Sequence, residues 1–342
     1  MFSNIFLNRK NLIDNVEYLQ AKSGKNLCVM VKANGYGHGA KEIVSVLDGK
    51  VQAFGVSNQS EAVELRKITN SKLIVFGACE DYELCIKKKI SFALFSYNHA
   101  KKMVKLYKKT KIVPRMHLCI NSGMNRYGVR EKEEFIKIID LLNKNNLILE
   151  GLYTHFSSLS TDNEYTKRQE GIFKEFKQLL PSEKTIVHVG GGMTIFKDID
   201  GDMYRVGLEV YGYGNQFVKP VLSVQSTIVD IQDVKKGEHI GYLCGYTAPK
   251  DMKVATIPLG YGDGLPRKMS NKLKVKIKKQ EAINVGNICM DAFMVDVTDI
   301  KCKIGDKVNI VENVKTWAEM IESTEYEALT NLSKFRGERI IK

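Results

Sequence analysis

The chain has 342 residues, of which 44% are hydrophobic and 27% are charged, and its formal net charge is +13. This length exceeds the usual size of one hydrophobic core, so we expect two domains or an α/β barrel with an additional part. No apolar run approaches the ~20 residues that a membrane-spanning helix needs, and the first residues lack the pattern of a signal peptide. The composition therefore favours a soluble, cytoplasmic protein without a membrane partner.

The positions of the cysteines and lysines further limit the classes of protein to which this chain could belong. The seven cysteines are scattered without any C-x-x-C pair, which predicts a reducing compartment and neither a disulfide framework nor a metal site. The positive charge comes largely from lysine clusters at 87–89, 101–111 and 274–279. Because no nucleic-acid-binding motif accompanies these clusters, we interpret them as solvated faces and expect no nucleic-acid partner.

Short apolar runs rich in β-branched residues alternate with longer amphipathic stretches as far as residue 215. The runs cover residues 27–32, 53–56, 73–76, 92–95, 115–120, 148–155, 186–189 and 204–211. Helical spacing of apolar residues occurs between them, at Leu12, Ile13, Val16 and Leu19 and again at Phe135, Ile136, Ile139 and Leu142, and Asn58 with Glu61 resembles a capping box. Eight strands with intervening helices predict a (β/α)8 barrel of the TIM type, which we assign to residues 1–222.

The remaining residues, 223–342, have a different pattern. Hydrophobic and polar residues alternate through 221–232, 253–260, 273–298 and 306–312, without long helical periods. This pattern predicts a β-rich C-terminal domain, closed by short helices near 316–322 and 326–332.

Polar residues collect at the predicted carboxyl ends of the barrel strands, where enzymes of this fold have their active sites. Lys32 ends the first strand, Arg126 follows the fifth, His155 ends the sixth, and Arg205 lies in the eighth. A glycine run at 190–192 follows the seventh. Taken singly, the histidine fits a buried structural role, the second arginine an ion pair, and the glycines a turn. Their occurrence together favours a functional site.

The stretch VKANGYGHG, residues 31–39, places Lys32 ahead of three glycines, which indicate a sharp turn or a close approach of the backbone to another group. The glycine run at 190–192 exposes backbone N–H groups of the kind that bind phosphate. A lysine opposite a phosphate site suggests an imine with an aldehyde cofactor that carries a phosphate. Pyridoxal phosphate has both groups.

VKANGYGHG closely resembles the pyridoxal-phosphate lysine motif of the alanine racemase family. The resemblance continues in chain order through HLCINSGMNRYG (117–128), GLYTHF (151–156), YRVGLEVYG (204–212), PLGYGDGLPR (258–267) and VGNICMDAFMVDVT (285–298). It implies a barrel followed by a β domain, a head-to-tail homodimer with shared active sites, and interconversion of L- and D-alanine with pyridoxal 5'-phosphate. The D-alanine would supply peptidoglycan synthesis.

The resemblance also implies roles for individual residues. Lys32 would hold the cofactor as a Schiff base and act as one catalytic base, and Tyr261 of the partner subunit would act as the other. Arg205 matches the arginine that faces the pyridine nitrogen, and His155 links this arginine toward the tyrosine. The substrate carboxylate would be received by Arg126 and the backbone of Met290. The remaining cofactor contacts, at the phosphate, match Tyr36, Gly192, Gly207, Leu208 and Tyr326.

Two regions depart from the family pattern. Many relatives have a carbamylated lysine where this chain has Cys119, and commonly an aspartate where it has Asn121. A thiol cannot form a carbamate, so Arg126 must be oriented in another way. The family also tends to have Ala-Asn-Ser at 190–192, so the serine hydroxyl contact to phosphate is absent here and only backbone N–H groups remain.

Three alternatives stay open. A racemase of the same fold that prefers serine or another small amino acid would have the same motifs, because the pocket around the substrate side chain cannot be read from sequence. A noncatalytic pyridoxal-phosphate carrier lacks a second domain, so the motifs around Tyr261 and Met290 disfavour it. A decarboxylase of this fold would need a cysteine and an acidic residue suited to a diamine, which Cys289 and Asp291 resemble only superficially.

Overall fold

A computed structural model describes residues 2–159, 161–181, 183–191, 193–311 and 313–342. After a first strand, β1, the next eight strands, β2 to β9, form a closed barrel of parallel neighbours within these residues. The strands are Asn4–Leu7 (β1), Asn26–Met30 (β2), Ala53–Val56 (β3), Lys72–Val75 (β4), Ser91–Leu94 (β5), Met116–Ile120 (β6), Gly151–His155 (β7), Ile186–Gly190 (β8) and Met203–Val206 (β9). The predicted (β/α)8 barrel is confirmed.

Helices connect the barrel strands, and several of them begin at a side chain that accepts a backbone hydrogen bond. The helices are Arg9–Ser23 (α1), Lys32–Tyr36 (α2), Ala40–Leu47 (α3), Gln59–Leu65 (α4), Tyr82–Lys87 (α5), Tyr97–Thr110 (α6), Lys132–Asn143 (α7) and Asn163–Gln178 (α8). The accepting residues are Asn8, Asn58, Asp81, Ser96 and Asp162, which cap α1, α4, α5, α6 and α8. Each cap satisfies an N–H group that has no partner inside its helix.

The C-terminal part is built mainly of antiparallel strands, so the predicted β-rich domain is also confirmed. Its strands are Leu222–Thr227 (β10), Asp230–Val234 (β11), His239–Ile240 (β12), Tyr246–Thr247 (β13), Met252–Ile257 (β14), Lys274–Ile277 (β15), Gln280–Ile283 (β16), Phe293–Asp296 (β17), Lys307–Val311 (β18) and Glu338–Ile341 (β19). They form sheets of order β16-β15-β18-β10-β1-β19, β11-β14-β17 and β12-β13. Two helices, Val314–Ile321 (α9) and Glu325–Asn331 (α10), precede β19.

The first strand, β1, lies in the sheet of the C-terminal part and not in the barrel. Strand β1 pairs antiparallel with β10 and parallel with β19, so residues 4–7 lie in a sheet otherwise made of C-terminal strands. A division into residues 1–222 and 223–342 stays a prediction. The described residues contain no helix that is long and apolar enough to cross a bilayer.

Three local predictions need correction. The last barrel strand ends at Val206 rather than at residue 211, because the backbone turns there with a hydrogen bond from Val210 N to Gly207 O. In α7 the residue at 136 is exposed, and the buried face is formed by Phe135, Ile138 and Leu142. The capping box at the start of α4 is only half formed: Asn58 accepts from the Glu61 N–H, but the Glu61 carboxylate accepts from Ser57 and Ala33 instead.

Candidate active site

A cavity of about 210 Å³ opens at the carboxyl ends of the barrel strands, where the barrel rule places function. It contains most of the polar residues that the sequence singled out. Its predicted members are Lys32, Tyr36, Arg126, His155, Arg205, Gly207 and Tyr326, together with Gly190 and Gly191 of the glycine run. Gly192 lies outside the described residues. The described residues contain no group of three or more His, Cys, Asp or Glu side chains that could hold a metal ion.

Lys32 begins the short helix α2 and does not end the first barrel strand as predicted, because β2 ends at Met30 and Val31 precedes the helix. The following residues, Ala33 to Tyr36, all have positive φ angles, so the chain turns tightly and returns toward the cavity. The Glu61 carboxylate holds this turn by accepting a 2.7 Å hydrogen bond from the Ala33 N–H. Burial, followed by the charge of Arg126, lowers the pKa of Lys32. Among the described residues its amine has no hydrogen bond or ion pair, so it is free to react.

Arg205 lies in β9 and is only 6% exposed. Its guanidinium packs against two neighbouring aromatic rings, 5.0 Å from the centre of the Phe76 ring and 4.9 Å from that of Tyr153. Nη2 donates to Thr154 O at 2.7 Å and lies 3.3 Å from His155 Nδ1. Burial, followed by the charge of Arg205, lowers the pKa of His155 to about 3. The neutral imidazole of His155 therefore accepts from the arginine rather than repelling it.

A chain of buried polar side chains leads from Arg205 into the barrel. Arg205 Nη1 lies 3.0 Å from His188 Nδ1, His188 Nε2 lies 2.8 Å from His117 Nδ1, and His117 Nε2 lies 3.1 Å from Glu150 Oε2. Burial lowers the pKa of His188 and of His117, so both rings are neutral. The carboxylate at the far end also pairs with Lys72 Nζ at 2.9 Å. We call Glu150, His117, His188 and Arg205 the relay.

Close packing fixes the tyrosines of the cavity. A Cβ atom on Gly207 would lie 2.7 Å from the Tyr36 hydroxyl, so only glycine lets this tyrosine approach the backbone. The Tyr36 ring lies 5.9 Å from the ring of Tyr326, which comes from α10 in the C-terminal part. Burial, followed by the charge of Tyr326, raises the pKa of Tyr36 above its ordinary range. Leu208 is buried beside Gly207 but does not line the cavity.

Arg126 lies on a loop that hydrogen bonds hold in place. Asn121 Oδ1 accepts from the backbone N–H groups of Gly123 and Asn125, which fixes the turn before the arginine. The Cys119 thiol donates to Tyr127 O at 3.6 Å, on the other side of the arginine, and burial raises the pKa of this thiol to about 11. The two positions that depart from the family pattern therefore both hold the Arg126 loop. No carboxylate among the described residues pairs with Arg126.

Tyr261 and Met290 do not join the cavity of their own chain. Tyr261 is 40% exposed and Met290 is 53% exposed, and neither lines the cavity. The two lie close together because Gly262 N donates to Met290 O at 2.9 Å. Arg336 stabilises this corner through hydrogen bonds to Asp263 and Asp291. Tyr261 and Met290 form an exposed patch on the C-terminal part, which we call the Tyr261 patch.

Comparison with known proteins identifies the family. The chain matches the alanine racemase N-terminal domain at residues 7–215 and the alanine racemase C-terminal domain at residues 221–341. The chain belongs to the alanine racemase family. It is 31% identical to an alanine racemase of Clostridium novyi over 96% of this chain and 92% of that protein. Members named alanine racemase are isomerases, and this chain is an enzyme of that class.

Solved structures agree in fold. An alanine racemase of Clostridium difficile 630 superposes with a TM-score of 0.94 at 29% identity, covering 100% of this chain and 96% of that chain. A histidine racemase from Leuconostoc mesenteroides superposes with a TM-score of 0.92 at 24% identity, covering 100% and 98%. At that identity the likeness shows the fold alone, so the fold does not decide which amino acid is bound.

Sequence reasoning missed Tyr153 in the cavity wall and two fully buried histidines, His188 and His117, that do not line the cavity but connect to Arg205. Tyr153, His188 and His117 lie inside barrel strands, and their polar atoms in otherwise apolar runs were the available signal. Glu209 also lines the cavity, directly after the last barrel strand. Its position within the motif YRVGLEVYG gave no sign that the carboxylate points inward.

Proposed function

We propose that this protein interconverts L- and D-alanine with pyridoxal 5'-phosphate as its cofactor, and supplies D-alanine for peptidoglycan synthesis in the cytoplasm. The observation that carries the proposal is a cavity lined by both Lys32, whose amine has no partner among the described residues, and Arg205, whose neighbours are neutral histidines. The lysine can attach an aldehyde, and the arginine can only donate.

The residues of the cavity fit this cofactor. The lowered pKa of Lys32 favours the neutral amine that reacts with an aldehyde. The Gly207 backbone lies beside the Tyr36 hydroxyl, and a Cβ on Gly190 would lie 2.7 Å from Arg205 Nη2, so both glycines leave room next to polar groups. We assign the phosphate to Tyr36, Gly192, Gly207, Leu208 and Tyr326, and the pyridine nitrogen to Arg205, with His155 beside it.

When bound, the cofactor would withdraw electrons from the attached amino acid and so acidify its Cα–H bond. Racemisation then requires removal of that proton on one face and return of a proton on the other. Lys32 can take a proton on its own face because burial lowers its pKa. Arg205 is permanently charged and cannot release a proton to the ring nitrogen, which limits electron withdrawal and disfavours transamination.

We assign the second base to Tyr261, supplied by a second copy of the chain in a homodimer. The exposure of the Tyr261 patch supports this assignment, because the tyrosine is free to enter a neighbouring cavity. The substrate carboxylate would be received by Arg126, which lines the cavity and has no ion pair among the described residues, and by the backbone of Met290 in the Tyr261 patch. Each complete site would therefore combine the barrel of one subunit with the C-terminal part of the other.

A chiral assay of the purified protein tests the proposal. L-alanine, L-serine and L-histidine are each incubated with enzyme and cofactor, and both enantiomers are quantified over time. We expect D-alanine to form fastest, while faster racemisation of serine would make the protein a serine racemase. The protein should be yellow with bound cofactor, and Lys32→Ala should lose both the colour and the activity.

Lys41→Ala is a matched control, since this lysine is exposed on α3 and pairs with Glu64. It should retain the colour and the activity. A borohydride-stable lysine–cofactor adduct in Lys32→Ala protein would reject Lys32 as the attachment site.

A further inference from the structure

Glu209 places a buried carboxylate in the wall of the same cavity. It follows β9 by three residues, is 6% exposed, and lines the cavity. Its Oε1 accepts a 3.1 Å hydrogen bond from the backbone N–H of Met193, the residue next to the glycine run at 190–192. This is the loop whose N–H groups the proposed function gives to the cofactor phosphate.

No cation in the described part of the chain forms an ion pair with this carboxylate. Among the described residues, Glu209 has no ion pair, and the Met193 N–H is its one side-chain hydrogen bond. Its negative charge acts on the tyrosines of the cavity: burial, followed by the charge of Glu209, raises the pKa of Tyr326 to about 12. Glu209 is also among the charges that raise the pKa of Tyr36. The carboxylate thus shares the cavity wall with two phenols and is held by one backbone N–H, and hydroxyl and N–H groups are the donors that bind an anion.

A phosphate dianion entering this position would meet a negative charge in a largely desolvated wall, where like charges repel strongly. It would also find the Met193 N–H already used. The tyrosine hydroxyls remain available, because no hydrogen bond within the described residues uses the Tyr36 or Tyr326 hydroxyl. In this structure the Glu209 carboxylate therefore takes both the Met193 N–H and the space that an anion would need beside it.

We propose that Glu209 occupies the phosphate position of the cofactor-free protein and competes with the cofactor phosphate for the Met193 N–H. The inference rests on the proposed function and deepens it, since it makes Glu209 a determinant of cofactor affinity. Bound phosphate displaces the carboxylate from the Met193 N–H, and the energy required weakens binding. Removing the charge should therefore tighten the binding of any ligand that carries a phosphate.

The experiment uses the full chain stripped of cofactor, in wild-type, Glu209→Gln and Glu209→Ala forms. Equilibrium dialysis gives the Kd for pyridoxal phosphate, and the rise in melting temperature with inorganic phosphate gives a second measure that needs no attachment to Lys32. Pyridoxal, which lacks the phosphate, is the ligand control. Glu325→Gln is the variant control, because this carboxylate also acts on Tyr326 but does not line the cavity.

We expect both Glu209 variants to bind pyridoxal phosphate and inorganic phosphate at least tenfold more tightly than wild type. Glu325→Gln should bind these two ligands within twofold of wild type, and the affinity of every form for pyridoxal should also stay within twofold. Unchanged or weaker phosphate binding by Glu209→Gln would overturn the inference, even if Glu209→Ala fails to fold. If inorganic phosphate binds more tightly but pyridoxal phosphate never attaches to Lys32 in any form, the competition stands and the proposed function fails. If attachment occurs with equal affinity in all forms, the proposed function stands and the competition fails.

Discussion

Lys32 and Tyr261 allow a direct test of whether two subunits build each active site. Lys32 lines the cavity, whereas Tyr261 is 40% exposed on the C-terminal part and does not reach the cavity of its own chain. Replacing either proposed base should reduce kcat by about 10²- to 10⁴-fold, the usual contribution of a positioned acid or base. Lys32→Ala and Tyr261→Phe should therefore each be nearly inactive alone.

Mixing the two variants under conditions of subunit exchange should restore activity by a predictable amount. With random pairing in a twofold-symmetric dimer, half of the dimers contain one chain of each kind. In each such dimer one site carries both lesions and the other carries neither. About a quarter of all sites should therefore regain the wild-type rate. Against backgrounds of about 1% or less, such a gain is easily measured as racemisation of L-alanine.

The double variant Lys32→Ala/Tyr261→Phe is the matched control. Mixed with an equal amount of wild type, it damages both sites of every mixed dimer if the sites are shared, so about a quarter of sites stay active. If each site lies within one chain, about half stay active. Subunit exchange is verified with mass-tagged chains. Confirmed exchange without recovery in the first mixture, and half activity in the second, would refute the shared site or the role of Tyr261.

Three further predictions follow from the contacts. Glu150→Gln should lower the free energy of unfolding by about 1–3 kcal/mol in urea titrations, because it leaves the partly buried Lys72 ammonium unpaired; equal stability would show that the pair contributes nothing. Burial lowers the pKa of His38 to about 4. Its contribution to the free energy of unfolding is therefore complete above pH 6.5 and decreases as the pH falls toward 4, by at most about 3 kcal/mol. His38→Gln should flatten the plot of unfolding free energy against pH between pH 6.5 and 4, and parallel plots for variant and wild type would contradict this. Cys119→Lys should give an enzyme whose activity depends on bicarbonate, whereas Arg126→Ala should mainly raise KM, and unchanged kinetics in the latter would remove Arg126 from the site.

The barrel could be predicted because its strands are buried on both faces and therefore read as continuous apolar runs. Strand β1 was not predicted, although it is as long as β3, β4 and β5, since its partners lie near residues 222 and 338, at the far end of the chain. The end of β9 was also missed, because the apolar pattern continues through Leu208 and Val210 although the backbone turns at Gly207. Periodicity reports burial and does not report where a strand stops.

The residues of the candidate site also fall into those that the sequence could predict and those that it could not. Lys32, His155 and Arg205 could be found because a polar residue at a strand end is costly unless it is used. The position of Glu209 could not, because its direction depends on the turn that follows β9 and on the Met193 N–H from another loop. Tyr261 had no local signal at all, and only its motif suggested a role. Contacts between distant segments, and contacts between subunits, have no periodicity in the sequence.

The relay explains why a buried arginine can serve as a fixed donor in this cavity. Burial opposes ionisation of Glu150, but hydrogen bonds from His117, Ser91 and Lys72 outweigh it and hold the pKa of Glu150 well below its usual range. The ionised carboxylate must accept from His117 Nε2, which leaves His117 Nδ1 to accept from His188 Nε2.

His188 Nδ1 then has no proton and must accept from Arg205. Reversing the link between the two histidines, or the link between His188 and Arg205, would put a second proton on a histidine ring, and burial disfavours the charged form of both rings. One carboxylate at the base of the barrel thus sets the direction of every hydrogen bond in the chain. Arg205, in the wall of the cavity that contains Lys32, keeps its positive charge. Its four Nη hydrogens are used by His188, Thr154 and His155, so among the described residues its Nε–H is the donor that has no partner.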